Sequence, residues 1–324
     1  MAKKSTTSKS VVPKPKGAGV FIDPRTDFGF KRLFGDKELM IDFLNSVLEL
    51  KSPIHNLEYR NTVQIGVSKE EPATIFDLYC TTETGEHIIV EMQVAPNENF
   101  IDRIVFYGSR VIQEQGRKEK EYTLTDGKKA TELVYDIPPV YLVSILDYKL
   151  DKKKKTEKYL SRVKLMECET KEVFFDKLTL VFLELKRFKK KEEDLETNVD
   201  QWMYALRYLP ELQKKPAKLR AKIFERFFKL AKIAQMTSEE QTNYYKSLEK
   251  MSSVLIQLDK MGRTIDAQGN TIAEQGNTIA AQGNTIAVQD NTIAAQAAKI
   301  AEYERRFGAL NGATRPTKSR ARKW

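Results

Sequence analysis

The sequence predicts an α/β fold in which a mixed β-sheet is flanked by helices, followed by a helical subdomain and a long C-terminal coiled-coil helix. Three observations support this prediction. Apolar and polar residues alternate in short segments between residues 57 and 185, which is the period of strands. Apolar residues recur at helical spacing before, between and after these segments. Beyond residue 237 an isoleucine returns at every seventh position.

The composition is that of a soluble globular protein. The chain has 324 residues, of which 41% are hydrophobic and 31% charged, so it can bury a core and is neither collagen-like nor membrane-spanning. Two cysteines, Cys80 and Cys168, are too few for a disulfide framework, and the first residues do not resemble a signal-peptide core. We therefore expect a cytoplasmic protein. With only two histidines available, any metal site should use oxygen ligands.

The net charge of +10 lies at the two ends of the chain. Residues 1–19 carry five lysines, residues 312–324 carry five lysines or arginines, and neither segment contains an acid. The body between them is therefore formally neutral. We interpret residues 1–19 as a disordered basic arm and residues 308–324 as a basic tail. Both could neutralise nucleic-acid phosphates, or serve only as solubilising ends.

Amphipathic helices should flank the strands. Thr26–Gly35 is typical of a short helix that ends at Gly35, and Asp36 suits the N-cap of the next helix. A third helical face runs from Phe100 to Val111, and further apolar faces between residues 195 and 236 indicate a small helical subdomain.

The strands are predicted from segments whose polarity alternates or that are wholly apolar. The turn Thr82–Gly85 should join the second and third of them into a hairpin. The six segments are residues 57–67, 74–81, 86–94, 133–146, 159–168 and 178–185.

The isoleucine array predicts a coiled coil. Ile265 begins a series of six isoleucines inside near-identical units such as Asn270–Gly276. A helix over residues 237–307 would be roughly 100 Å long and could not bury its own stripe, so we expect parallel self-association into a homo-oligomer. The alternative is a low-complexity array that varies in length. Either the Gln three positions after the first five Ile or the Gly four positions after the first three could share the seam, and both would weaken it.

Two acids and one amide should converge on the predicted hairpin. Alternate side chains of a strand share a face, so Glu91 and Gln93 point the same way, and the strand that contains Asp77 lies alongside. Two carboxylates on otherwise apolar strands would repel each other unless a cation lay between them. Mg²⁺ prefers one or two carboxylates together with water and phosphate oxygens, which suits phosphodiester hydrolysis. The competing interpretation places both acids on a solvated face.

Asp77 followed by Glu91-Met92-Gln93 resembles the D…(D/E)-x-K motif of the PD-(D/E)XK nucleases, with Gln93 in the place of the usual lysine. The resemblance covers about residues 20–250. Three further segments resemble the recombination-promoting nuclease/transposase family of that superfamily: Thr26–Gly35, Phe100–Arg110 and Pro139–Tyr148.

This resemblance implies a restriction-endonuclease-like fold and a metal-dependent DNA endonuclease with little sequence preference. Asp77, Glu91 and the backbone carbonyl of Met92 would bind Mg²⁺ or Mn²⁺, and Gln93 would orient the attacking water. A lysine there would lower the pKa of the water and stabilise developing charge, whereas neutral Gln93 can only hydrogen-bond. The alternative is a catalytically weak or inactive DNA-binding scaffold assembled by its coiled coil.

Three more residues are candidates for the same site. Carboxylates in the first helix sometimes join such sites in the superfamily, which makes Asp27 a candidate. Arg103 and Tyr107, one helical turn apart, could contact phosphate or only pack on the sheet. His87, beside the turn, is expected to be an exposed strand residue rather than a catalytic base.

Five regions follow from these observations. The basic arm of residues 1–19 precedes a nuclease-like domain over 20–190 and a helical subdomain over 191–236. The coiled coil over 237–307 and the basic tail over 308–324 complete the chain. The expected partners are DNA and further copies of the chain, without a membrane.

Overall fold

The computed structural model of the protein describes residues 19–61, 63–64, 74–75, 77–115, 119–123, 129–133, 137–151 and 156–308. Most of the predicted basic arm and tail therefore lie outside the described residues. The contacts divide the chain into two units, residues 1–256 and 257–324.

Ten strands and six α-helices are present among the described residues. The strands are β1 (Leu57–Tyr59), β2 (Val63–Gln64), β3 (Thr74–Ile75), β4 (Leu78–Thr82), β5 (His87–Gln93), β6 (Glu119–Thr123), β7 (Lys129–Leu133), β8 (Val140–Leu146), β9 (Leu160–Met166) and β10 (Val173–Glu184). The helices are α1 (Asp27–Phe34), α2 (Lys37–Val47), α3 (Phe100–Gln115), α4 (Asn198–Tyr208), α5 (Lys222–Ala231) and α6 (Ser238–Phe307).

Six of these strands form one mixed sheet in the order β1-β4-β5-β8-β10-β9. The pairs β5–β8 and β8–β10 are parallel, and β1–β4, β4–β5 and β9–β10 are antiparallel. β5 and β8 are almost wholly buried because both faces of the sheet centre are covered. The predicted mixed sheet between helices is therefore confirmed. Two further antiparallel pairs, β2–β3 and β6–β7, lie outside it.

A core of aromatic rings covers one face of the sheet. Trp202 of α4 is fully buried at its centre, and its Nε1 donates a hydrogen bond of 2.8 Å to Oδ1 of Asp42 in α2. This bond satisfies the one polar group of a side chain that is otherwise packed like a hydrocarbon. The rings around Trp202 belong to Phe34, Phe43, Phe224 and Phe227. The helices of residues 195–236 thus share one core with α1 and α2.

Helix α3 covers the opposite face. Its Phe100, Ile104 and Val111 are buried in a second apolar cluster together with residues of β4, β5, β8 and β10. These three residues are spaced at i, i+4 and i+11, which places them on one side of the helix. The candidate residues Arg103 and Tyr107 lie on the same helix.

A close backbone approach fixes the start of α1. The hydroxyl of Thr26 accepts a hydrogen bond from the N–H of Gly29 at 3.0 Å and donates one to the carbonyl of Asp23 at 2.7 Å. A Cβ atom on Gly29 would overlap this same carbonyl oxygen. Glycine is required here because no side chain fits between the helix and the incoming segment. The predicted end of α1 at Gly35 and the N-cap of α2 at Asp36 are both confirmed.

The predicted strand over residues 133–146 is wrong in extent. Leu133 ends β7 in a separate two-stranded pair, and β8 begins only at Val140. Pro138 and Pro139 stand directly before β8, and proline has no N–H to give to a ladder. In β10 the strand begins at Val173, earlier than predicted, because it continues into a hairpin with β9.

The predicted long helix is confirmed as α6, Ser238–Phe307. Tyr244, Tyr245 and Met251 of its first part are buried in the first unit. Within the described part of the second unit no residue is buried. No helix of the described residues is both long and apolar enough to cross a membrane.

Replacing Gly29 with alanine should destabilise the first unit, because the new methyl group must displace the backbone of Asp23. We expect Gly29→Ala to lower the free energy of unfolding by about 1–3 kcal/mol, as measured by urea denaturation. Gly269→Ala is the matched control, since a Cβ there meets open space and alanine favours the helix. A urea midpoint that does not change in Gly29→Ala would contradict the close approach.

Candidate functional site

Asp77 and Glu91 meet at the open end of the β4–β5 hairpin. Leu78 pairs with Val90, so Asp77, the residue before β4, stands opposite Glu91. The N–H of Asp77 donates to Oε1 of Glu91 at 3.2 Å, and the N–H of Met92 donates to Oδ2 of Asp77 at 2.8 Å. Each carboxylate is therefore oriented by the backbone of the other residue's strand.

Gln93 links this pair to helix α3. Its Nε2 donates to Oε2 of Glu91 at 3.2 Å, and its Oε1 accepts from Nη2 of Arg103 at 2.8 Å. The structure thus places Glu91 and Gln93 on one face of β5, and it brings Arg103 to the same place. Both ends of the Gln93 amide are occupied, which fixes its orientation.

Arg103 brings a positive charge to the site from helix α3. Its guanidinium carbon lies 5.7 Å from the ring centre of Phe100 and 5.9 Å from that of Tyr107, within the range of cation–π contact with both rings. Its Nε is buried and has no hydrogen-bond partner among the described residues. A buried N–H without a partner is costly.

Burial raises the pKa of both carboxyl groups. For Glu91, burial and then repulsion from Asp77 raise the pKa to about 8. For Asp77, burial also raises the pKa and is the largest cause, while the N–H of Met92 opposes it. Arg103 lowers the pKa of each without offsetting burial. Two neighbouring carboxyl groups, one buried and one half-buried, whose pKa values are both raised favour a bound proton or a cation beside them.

The donor set fits a hard divalent cation. The described residues contain no group of three His, Cys, Asp or Glu that could hold a metal, so the oxygen donors are the pair Asp77 and Glu91. One or two carboxylates are the usual protein contribution to a Mg²⁺ site, which water and phosphate oxygens complete. Ser144 pairs with Glu91 from β8, and its buried hydroxyl has no partner among the described residues. An oxygen ligand or water beside Glu91 would satisfy it.

Asp27 and Tyr107 lie at the border of the site. Asp27 is exposed, forms an ion pair of 2.7 Å with Lys31, and raises the pKa of Asp77 by repulsion. Burial and then the charge of Glu91 raise the pKa of Tyr107, which places its hydroxyl near the carboxylates. The structure therefore brings both residues near the pair.

A cleft beside Asp77 contains residues that the sequence analysis missed. Arg25, Ser247 and Lys250 line it together with Asp27 and Asp77. Arg25 is neutralised by two hydrogen bonds to Asp23 and one of 2.9 Å to Asp147. Lys250 forms no ion pair within the described part of the chain. Nothing in the sequence distinguishes it from the other lysines of α6, because only the fold places it in the same cleft as Asp77.

His87 is buried, so the prediction of an exposed strand residue is wrong. Its Nδ1 shares a hydrogen bond of 2.6 Å with the hydroxyl of Tyr79, under the cover of α3. It begins β5, four residues before Glu91, a separation of roughly 13 Å along a strand. At that distance His87 cannot act as a base for chemistry at the carboxylates.

One comparison with known proteins finds a match. A family model described as a PD-(D/E)XK nuclease family transposase matches residues 24–256. The chain belongs to this family. The match contains both carboxylates and Gln93, and the mixed sheet with its flanking helices is consistent with the restriction-endonuclease-like fold that the sequence predicted. No curated protein and no solved structure matches the chain.

The raised pKa of Glu91 should make the protein less stable as the pH rises. A glutamate in the unfolded chain loses its proton near pH 4.5, whereas folded Glu91 keeps it up to about pH 8. The folded state binds the extra proton between these values, so the free energy of unfolding falls across the interval. Glu91→Gln removes this titration and should flatten the profile, with a gain of about 1–3 kcal/mol at pH 8.

Urea denaturation at pH 5, 6.5 and 8 in EDTA measures the effect. Glu98→Gln, at an exposed position in the loop before α3, is the control and should follow the wild-type profile. Parallel profiles for wild type and Glu91→Gln would contradict the raised pKa.

Proposed function

We propose that this member of the nuclease family is a metal-dependent DNA endonuclease that hydrolyses phosphodiester bonds beside Asp77 and Glu91. The observation that carries the proposal is a pair of carboxyl groups with raised pKa values, Glu91 buried and Asp77 half-buried, each held by the backbone of the opposite strand. Such a pair is costly to bury without a cation. Any promotion of recombination would follow from the breaks that the enzyme makes in DNA.

Asp77 and Glu91, with the backbone carbonyl of Met92, would hold Mg²⁺ or Mn²⁺, which supplies a Lewis acid and an acidified water when bound. The chain itself provides rigidity. Because the hairpin backbone donates hydrogen bonds to both carboxylates, the fold holds their orientation. Asp27 would join only through water, since its side chain is exposed and paired with Lys31.

Gln93 and Arg103 would share the task of the motif lysine. Gln93 hydrogen-bonds to Glu91 and to Arg103, so it positions both groups without adding charge. Arg103 supplies a permanent positive charge near the carboxylates, where it lowers the pKa of both. A guanidinium there would bind the scissile phosphate and stabilise the charge that develops on it. Tyr107 would act by holding Arg103 against its ring.

The proposed substrate is DNA, for which the charges near the site provide contacts. Lys250 borders the cleft next to Asp77, where its charge can pair with a backbone phosphate. The lysines and arginines of residues 1–19 and 312–324 add attraction that depends on salt but not on base sequence. The cytoplasm suits this function, since it gives access to DNA and keeps the free thiols of Cys80 and Cys168 reduced.

The second candidate function is a DNA-binding scaffold with little or no catalysis. The observation in its favour is Gln93, because a neutral amide cannot lower the pKa of a water as lysine does. In this alternative the carboxyl groups stay protonated or paired, and the chain contributes binding and assembly only.

Cleavage of supercoiled plasmid tests the two functions. We expect nicking with Mg²⁺ or Mn²⁺, none with EDTA, and a loss of about 10²–10³-fold in rate for Asp77→Asn and Glu91→Gln. Asp102→Asn, at an exposed acid of α3, is the control and should cleave like wild type. Wild-type protein that binds DNA and metal yet leaves the plasmid intact would rule out the endonuclease and favour the scaffold.

Relocating the positive charge tests Arg103. Arg103→Met removes the cation and should reduce nicking about 10–100-fold, while Gln93→Lys added to Arg103→Met should recover part of the rate because it returns a charge to the same place. The exposed Arg220 provides the control substitution Arg220→Met. Full activity of Arg103→Met would show that the guanidinium only packs on the sheet.

A further inference from the structure

The second unit exposes a long apolar stripe on α6. Its six isoleucines, from Ile265 to Ile300, are 57–68% exposed, and none of the described residues of this unit is buried. Four glycines, Gly262, Gly269, Gly276 and Gly283, lie on the same helix. Each costs about 1 kcal/mol of helix stability relative to alanine. Such a helix is poorly stable alone, so the stripe needs a partner.

Two seams are compatible with the spacing of the isoleucines. In the first, isoleucine occupies heptad position a and the glutamine three residues later occupies d. In the second, isoleucine occupies d and the glycine four residues later occupies a. The first seam contains Leu258, Met261, Ile265, Gln268, Ile272, Gln275, Ile279, Gln282, Ile286, Gln289, Ile293, Gln296, Ile300, Tyr303 and Phe307.

The ends of the array distinguish these seams. In the isoleucine–glycine seam, Asp290 and Glu304 would occupy core positions and face their own copies. Like charges buried opposite each other are strongly unfavourable. In the isoleucine–glutamine seam the corresponding positions hold Gln289 and Tyr303, and Met261 extends the apolar stripe at the other end. Only this seam is free of charge and bounded by apolar residues.

The charged residues beside the seam indicate whether the partner helix runs parallel or antiparallel. In a parallel, in-register pair, a residue at position g lies next to the e residue five positions later on the other helix. Lys299 occupies g and Glu304 occupies e, five positions later. Neither forms an ion pair among the described residues, and residues five apart do not meet on one helix. A second copy of the chain would form this pair twice.

The threonines at position g suit the flank of a seam. The hydroxyl groups of Thr264, Thr271, Thr278, Thr285 and Thr292 each donate to the carbonyl four residues earlier, at 2.9–3.1 Å. These polar groups are satisfied within the helix and need no water after burial. β-Branched isoleucine at position a is one half of the pattern that favours two strands; the other half, leucine at position d, is replaced here by glutamine.

We therefore propose that residues 258–307 form a parallel, in-register, two-stranded coiled coil with a second copy of this chain, with isoleucine and glutamine alternating in its seam. The glutamine layers make the pair specific in register at a cost in stability. This assembly does not depend on the proposed nuclease activity.

Disulfide linkage in the full-length chain tests seam and direction together. A Cys168→Ser background removes the exposed thiol and leaves the buried Cys80. In this background, Gln268→Cys and Gln296→Cys should each form a disulfide between two copies on mild oxidation, because seam positions bring the two Cα atoms within about 7 Å. The control Gly276→Cys lies outside the proposed seam. The yield of disulfide-linked dimer at positions 268 and 296 should exceed that at position 276 by about tenfold or more.

The other arrangements give different patterns. Antiparallel helices could link at most one of positions 268 and 296 to itself. An isoleucine–glycine seam would link position 276 instead of the other two. Either pattern, or equal linkage at all three positions, or linkage at none, would overturn the proposal.

A charge reversal tests the Lys299–Glu304 pair. Lys299→Glu or Glu304→Lys alone would bring two like charges together at each of the two symmetry-related pairs of the dimer. The dimer dissociation constant at low salt should therefore rise about tenfold. The double variant should return to within about twofold of wild type. Sedimentation equilibrium measures both the constant and the number of strands. Unchanged single variants, an unrescued double variant, a monomer or a three-stranded mass would overturn the proposal without bearing on plasmid cleavage.

Discussion

The register between β5 and β8 is the constraint on which the candidate site depends. All seven residues of β5, from His87 to Gln93, pair in parallel with Val140–Leu146, and β4 pairs with its other edge. Because side chains alternate along a strand, a slip of one residue would turn Glu91 and Gln93 to the opposite face of the sheet. A shift in the register of β5 would break its hydrogen bonds to both neighbouring strands, β4 and β8. The fold therefore fixes the position of the Glu91 carboxylate.

The site combines a rigid anionic pair with a cation from another element. Asp77 and Glu91 are held by hairpin backbone, whereas Arg103 reaches them from α3 through the amide of Gln93. Its charge lowers the pKa of both carboxyl groups, but burial prevails. A bound cation or anion would therefore stabilise this polar cluster further. Perturbed pKa values of this kind are typical of polar groups in functional sites.

Local patterns explain which parts of the fold could be predicted. The helix caps at Gly35 and Asp36, the hairpin around Gly85 and the span of α6 depend on neighbouring residues only, and the structure has all of them. The prediction of a single strand over residues 133–146 was wrong because an apolar run does not show where one sheet ends and another begins. The burial of His87 also depends on a distant element, since α3 covers that end of β5.

The sequence by itself determined the mixed α/β fold, the placement of Glu91 and Gln93 on one face, and the heptad period of α6, because each follows from spacing along the chain. Only the tertiary structure decided that Arg103 contacts Gln93 and that Lys250 lines the cleft beside Asp77. It also decided that burial raises the pKa of Glu91. These properties arise where distant segments exclude water together, and no local pattern of residues encodes that.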